Sequence, residues 1–408
     1  MLSLLAILSQ FFRNATSIIG PELIRDLSLS SQELGFANGS FFFALLLAQI
    51  PLGLAFDRFG PRRTVAFLSV LMATGAMLHG LAETGAHLAV ARFVTGLGCA
   101  AGFTASVVLV SHWFSRLSWS MMLSWLTASS QLGVVLAGPP LAATAEMVGW
   151  RFGFIAMGLV AMLVGYLFLV IVRDRPPGWV PAPVGPTDAT GAIEGLRRVI
   201  ATPGLLRMLF LFMMAYAALV TVQVVWIGPY LHDVHGLDAL QRGNVLLGMA
   251  VAQTLGTLLV GPMDRLLNTR KWVVAASASL ALTSLAVLAI VPVSLSTAVG
   301  LLFLLCASSA YGSVLYAQIR SLVPDHLAGR GATIGNMAPL LGSALLPVLT
   351  GFIPPLFPGP GPGYSLLAYQ WIFATLAIAL AAGLAVYLTT KDSRPRQVLP
   401  AASRQTTT

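Results

Sequence analysis

The chain has 408 residues, of which 57% are hydrophobic and only 9% charged, with a formal net charge of +9 and a mean hydropathy of +0.85. Water-soluble domains carry roughly 25% charged residues and disordered chains are poor in apolar ones, so both classes are excluded. The basic residues do not gather on one soluble face, which excludes nucleic-acid binding.

A membrane-crossing helix needs about 20 predominantly apolar residues to span ~30 Å of hydrocarbon. The opening stretch 2–23 qualifies despite Arg13. It lacks a basic leading region and a small-residue cleavage site, so it reads as a first span rather than a signal peptide. Uncharged stretches follow at 36–56, 64–82, 93–115, 117–145, 152–172, 208–231 and 243–263. Two longer uncharged blocks, 272–319 and 331–390, must each hold two helices. The first is interrupted near Val291-Pro292-Val293-Ser294. The second is broken by the proline- and glycine-rich run from Pro354 to Gly363, which cannot continue a helix. The predicted fold class is an all-α membrane protein with twelve transmembrane helices.

Lys/Arg bias sets the orientation. With the N-terminus inside, 18 of the 23 basic residues fall in one set of loops, Arg58, Arg62, Arg63, Arg265, Arg270 and Lys271 among them. The opposite loops hold Arg25, Arg151 and Arg242, and Arg13 and Arg92 lie within spans. Both termini are therefore expected in the cytoplasm of a cell whose membrane, a bacterial inner membrane by expectation, carries the chain. The proline-rich stretch 174–204 reads as a cytoplasmic linker with a short surface helix near 194–200. It divides an N-terminal six-helix bundle, 1–173, from a C-terminal one, 205–390, which a tail, 391–408, follows. The halves repeat: Gly20-Pro21 at the end of the first span returns as Gly228-Pro229 at an offset of 208, and Asp57-Arg58 returns as Asp264-Arg265 at 207. Parallel six-helix repeats about an axis along the membrane normal are a transporter architecture.

The loop after the second span reads Gly53-Leu-Ala-Phe-Asp57-Arg58-Phe-Gly60-Pro-Arg62-Arg63. It is very similar to the signature Gly-x-x-x-Asp-Arg-x-Gly-x-Arg-Arg of the major facilitator superfamily, and the resemblance covers nearly all of the chain. It implies a secondary transporter of two pseudo-symmetric six-helix bundles working by alternating access. Gly53 is expected to allow close helix approach, Asp57 to bond orphan N–H groups at a neighbouring helix start, and Arg58, Gly60, Arg62 and Arg63 to complete a conformational latch. Asp264 and Arg265 form a degenerate second copy. Arg92, in Arg92-Phe-Val-Thr-Gly96-Leu-Gly98, resembles a further conformational element of the family. The run from Gly96 to Ala101 also imitates a dinucleotide fingerprint, but no strand precedes it, so that reading is rejected. Gly98 and Gly102 instead suit a small-residue packing face.

A charge in a span is costly, so it normally faces a cavity. Arg13 shares a helix face with Gln10, Thr16, Ser17 and Gly20, a polar stripe suited to lining a central cavity. Phe12-Arg13-Asn14 is similar to the context of an arginine in the family's phosphate and carboxylate carriers. Tyr216, Gln223, Trp226 and Tyr230 form a second stripe at helical spacing, with Gln223 and Trp226 expected at the cavity and Tyr230 in an interfacial aromatic belt. Ser309, Ser313, Tyr316 and Arg320 form a third, and Gln131 and Asn336 are further polar candidates. No Asp or Glu lies at mid-depth in any span, leaving Glu22, His79 and His112 as the titratable groups nearest to spans. A fixed cation without a buried acid favours an anion as cargo.

The expected function is transport of a small organic or inorganic anion, with Arg13, Gln10, Ser17, Gln131, Gln223, Trp226 and Tyr316 as substrate contacts. Export of an amphipathic or cationic compound is the alternative, with a transporter-like sensor behind it. No catalytic set shares one depth, so no enzyme is expected. Cys99 and Cys306 supply neither a disulfide framework nor a metal set, and no cofactor is expected. The partners expected are the lipid bilayer and a small-molecule substrate, with the chain acting as a monomer.

Overall fold

The computed structural model describes residues 1–114, 118–176, 199, 201–323, 328–359 and 363–392. The surface helix expected near 194–200, most of the linker, the end of the tail, Arg116 and the side chains of Arg320 and Arg330 lie outside the described residues. Helix follows helix, with no strand among the described residues.

Among these residues, 10 helices are long and apolar enough to cross a membrane, and one bent pair makes an eleventh crossing. The helical run Ser31–Gly80 has 50 residues, ~75 Å at 1.5 Å per residue, more than twice the hydrocarbon thickness. It is broken at Gly60, whose φ of 79° and ψ of 158° suit glycine rather than a residue with a Cβ. Pro61, which has no N–H, follows immediately. Counted as two crossings, this run brings the total to twelve.

Local chemistry explains the other breaks. Leu2–Ile18 and Gly20–Leu27 meet at 63°. Pro21 lies in the first turn of the second piece and cannot donate to the Ser17 carbonyl four residues back. Ser30 opens the second span with a capping box to Glu33, and Ser294 caps Leu295–Ser308 by accepting from Thr297 N–H. Gly138 separates Trp119–Ala137 from Pro139–Val148 in the fifth span. The seventh, Leu205–His235, contains a π-helical turn at Val222–Trp226.

The chain forms two compact units. The first comprises Met1–Gly185, Val220–Ala250 and Leu340–Ile372. Gly98 lies against the Met72 backbone with no room for a Cβ, the close approach its small-residue spacing predicts. Gly133 of the fifth span meets the Ile7 carbonyl of the first in the same way. At the other end of this unit, Ser31 Oγ donates to the Gly351 carbonyl at 2.8 Å. There Gly228 presses on the Ser17 carbonyl, and Gly39 faces the Ala344 carbonyl.

The second unit comprises Pro186–Leu219, Val251–Pro339 and Phe373–Thr408. Gly256 backs onto Ala307, and the Tyr387 hydroxyl donates to Gln318 Oε1 at 2.6 Å in the buried interior.

Candidate functional site

Two guanidinium groups lie inside the first unit. Arg13, half-buried in the first span, has its Cζ 5.8 Å from the centre of the Phe42 ring. Arg92 of the fourth span is only 1% exposed and lies 4.3 Å above the Phe41 ring. Its Nη1 donates to the Phe12 carbonyl, the peptide next to Arg13, and its Nη2 to Asn38 Oδ1 at 3.1 Å. The same Asn38 oxygen accepts from Thr16 Oγ1 at 2.8 Å, and the Asn38 amide nitrogen donates to the Leu34 carbonyl at 3.0 Å. The amide is thus pinned with its oxygen towards the arginine. Among the described residues the hydrogen-bond partners of Arg92 are neutral, and Arg13 carries the same charge. Asn38 escaped the sequence reading, because a neutral amide in an apolar run carries no distinctive signal.

The polar candidates around Arg13 differ in exposure. Gln10 and Gln131 are half-buried. Ser17 is fully buried, and neither its hydroxyl nor that of Thr221, also fully buried, finds a hydrogen-bond partner among the described residues. Thr221 was not singled out from the sequence. Gln223 is half-buried within the π turn.

Past that turn the expected stripe fails. Trp226 has no exposed surface; its indole N–H donates to Thr350 Oγ1 at 2.9 Å, and Tyr364 and Tyr369 meet it edge-on. In this conformation it seals a layer rather than lining an open cavity. Tyr230, expected in an interfacial belt, is instead 2% exposed, packed edge-on against His235 and Tyr369. The physical reason is that this part of the seventh span is enclosed on every side: in 217–231 all residues but Gln223 are buried, so helical spacing does not select a cavity face there. Asp233 ties the layer together, accepting from the Tyr369 hydroxyl at 2.6 Å and from Tyr364 N–H at 2.9 Å. Burial, and secondarily the Asp233 carboxylate, push the Tyr364 phenol above its usual range, so it keeps its proton.

In the second unit, Tyr316 is half-buried with its ring edge beside Gly335. Its stripe is interrupted by a 3-10 turn at Ser309–Tyr311, and Ser313 and Asn336 are exposed.

The signature loop corrects two expectations. A Cβ on Gly53 would meet nothing within 4 Å, so no close helix approach occurs there. Asp57 and Arg58 are exposed, with Arg58 over the Phe59 ring, and Arg63 is exposed too. The helix-start task expected of Asp57 falls to Asp174, whose Oδ1 accepts from Arg62 N–H at 2.6 Å. The same carboxylate fills the space beside Gly60, and the Arg62 side chain reaches the Leu169 carbonyl. The second half repeats the device. Asp392 accepts from Thr269 Oγ1 at 2.7 Å and from the backbone N–H groups of Arg270 and Lys271 at 3.2 and 3.0 Å. Asp264 is buried and paired with Arg270 at 3.3 Å, while Arg265 is exposed. The missed signal was the pair Arg173-Asp174 and Lys391-Asp392, just beyond the helices Trp150–Ile171 and Leu366–Leu388.

Among the described residues no group of three or more His, Cys, Asp or Glu could hold a metal ion.

Comparison with known proteins places this arrangement. The probable L-galactonate transporter of Escherichia coli (strain K12) is 23% identical over 372 residues, 85% of this chain and 80% of that protein. The probable sulfoacetate transporter SauU of Cupriavidus necator is 25% identical over 255 residues, 60% of this chain and 59% of its own. Among solved structures, a bacterial homolog of the human lysosomal transporter Spinster, inward-facing and unoccupied, superposes with a TM-score of 0.76 at 18% identity, covering 95% of this chain and 94% of that one. A D-xylose-proton symporter gives 0.72 at 15% identity, covering 94% and 95%. The sequence pattern of the Major Facilitator Superfamily matches residues 2–347. With twelve crossings, the signature loop and that match, the chain belongs to the Major Facilitator Superfamily.

Proposed function

We propose that this protein is a secondary active transporter that carries a small organic anion across the membrane by alternating access. The observation that carries the reading is the pair of interior guanidinium groups, Arg13 and Arg92, the latter held only by neutral partners. A carboxylate built into the protein would quench this field permanently. A cargo carboxylate or sulfonate supplies the counter-charge only while bound, as a carrier requires. A cationic cargo, the alternative, would meet two like charges and is disfavoured. Relatives named for L-galactonate and sulfoacetate transport support an acidic cargo.

Gln10, Ser17, Gln131 and Gln223 are the proposed partners for the cargo's hydroxyl groups, with the unused Ser17 and Thr221 hydroxyls as available donors. Trp226 closes the layer beside them, and Tyr316 is kept as a contact on its helix stripe alone. Segments 1–173 and 205–390 are proposed as the moving halves, joined by 174–204. The signature loop from Gly53 to Arg63, with its copy at Asp264 and Arg265, is the proposed conformational element. The Lys/Arg distribution supports cytoplasmic termini in a bacterial inner membrane. The chain is proposed to act as a monomer and to catalyse no chemical reaction.

The test is direct. Purified protein is screened by thermal shift against galactonate, galactarate, glucuronate and sulfoacetate, because a ligand that binds the folded state raises its melting temperature by mass action. The strongest stabiliser is then followed as a labelled solute in vesicles. Arg13→Ala is expected to abolish both stabilisation and uptake at unchanged membrane abundance. Uptake at the parent rate by Arg13→Ala would remove the anion site.

A further inference from the structure

At the end of the first unit remote from Asp57 and Arg63, one ion pair joins residues 220 positions apart: Arg242 Nη2 donates to Glu22 Oε1. The Arg242 side chain is 1% exposed and that of Glu22 is 22% exposed. Arg242 makes one further bond, from Nε to the Asp238 carbonyl at 3.2 Å. Its Nη1 and the second Glu22 oxygen are buried and find no hydrogen-bond partner among the described residues. Among the described residues Glu22 is the carboxylate paired with this guanidinium, while the Asp238 carboxylate accepts from Gln241 N–H at 2.7 Å.

The pair is set where the first half of the sequence meets the second. Beside it a Cβ on Gly20 would come within 3.2 Å of the Pro229 ring, Gly228 presses on the Ser17 carbonyl, and a Cβ on Gly138 would come within 3.0 Å of the Gly243 carbonyl. Ile18, Val134, Ala142, Ala239, Leu246 and Ala250 pack into one buried apolar cluster. These close backbone approaches exclude water from the guanidinium. Glu22 meanwhile lines a cleft of about 330 Å³ with Pro21, Arg25, His232, Asp233 and Tyr364, so its side chain, unlike that of Arg242, keeps some exposure.

A buried ion pair adds little net stability, because desolvating two charges offsets most of their attraction, whereas removing one partner leaves an uncompensated buried charge. When the two segments part, both charges return to water and the desolvation cost is recovered. Such a pair specifies the closed arrangement without making it irreversible. We propose that Glu22 and Arg242 form a matched gate pair: this end of the carrier closes because each charge meets the other there, and either one left alone resists burial. The proposal rests on the alternating-access reading but not on the identity or charge of the cargo.

The experiment reads closure without substrate. Cys99→Ser and Cys306→Ser remove the native thiols, and Ser17→Cys places a reporter where the side chain is fully buried in the closed state. A membrane-impermeant maleimide is applied from each face of the membrane in turn. Glu22→Gln, which strands the Arg242 charge, is expected to speed labelling about tenfold or more from the face opposite the signature loop. Glu22→Gln combined with Arg242→Gln leaves no buried charge and is expected to bring the rate back to within about threefold of the parent. An unchanged rate in Glu22→Gln would overturn the matched pair. So would a double variant labelling as fast as the single one, because that pattern marks lost packing rather than a stranded charge. A thermal-shift screen with no responding anion would remove the cargo reading and leave this result standing.

Discussion

Asn38 is the residue on which the charge of the interior site turns. Its oxygen receives both Thr16 and Arg92, so it orients the guanidinium without neutralising it. Asn38→Asp would put a carboxylate of nearly the same shape 3.1 Å from Arg92 Nη2. A charge-assisted pair would form there, taking the place proposed for the cargo's charge. Affinity for the anion identified by thermal shift is expected to fall at least about tenfold, read by titrating the melting temperature. The ligand-free melting temperature should stay level or rise, which separates lost charge from lost folding. Arg13 and Arg92 were legible in the sequence because a charge in an apolar run is conspicuous. Asn38 and Thr221 were not, because spans hold many neutral polar residues and only packing shows which of them meet a partner.

Among the elements, the two carboxylates that cap helix starts behave as copies of one device. Asp174 receives Arg62 N–H in one half, and Asp392 receives the N–H groups of Arg270 and Lys271 in the other. A carboxylate at a helix N-terminus both satisfies orphan donors and opposes the positive end of the helix dipole. Asp174→Asn and Asp392→Asn are each expected to cost about 0.5–2 kcal/mol, measured as lowered melting temperature in detergent. The double variant should be additive within about 0.5 kcal/mol, since the two caps share no partner. The repeat of Asp57-Arg58 at Asp264-Arg265 does not mark the caps: Asp57 is exposed, and the caps lie beyond the sixth and twelfth spans. The π turn at Val222–Trp226 was equally hidden, because Val-Gln-Val-Val-Trp reads as ordinary helix until its partners are known.

For the whole molecule, orientation follows from the loops and is open to a simple check. Single cysteines at Arg63 and at Met147, the latter 83% exposed, should label from opposite faces of the membrane in intact cells. Arg63→Cys should react only after the membrane is permeabilised, and Met147→Cys before it; the reverse order would invert the topology. The number of crossings, the presence of interior cations and a repeat of short motifs between the two halves of the chain were legible in the sequence alone. Each follows from a local property: the length of an apolar run against the hydrocarbon thickness, the exclusion of charge from lipid, or a motif recurring at a fixed offset. The tertiary structure alone decided that Asp174 rather than Asp57 caps the third span, that Trp226 gives its N–H to Thr350, and that Glu22 meets Arg242 across 220 positions. Those pairings depend on which faces meet and in what register, and no local run of residues carries that information.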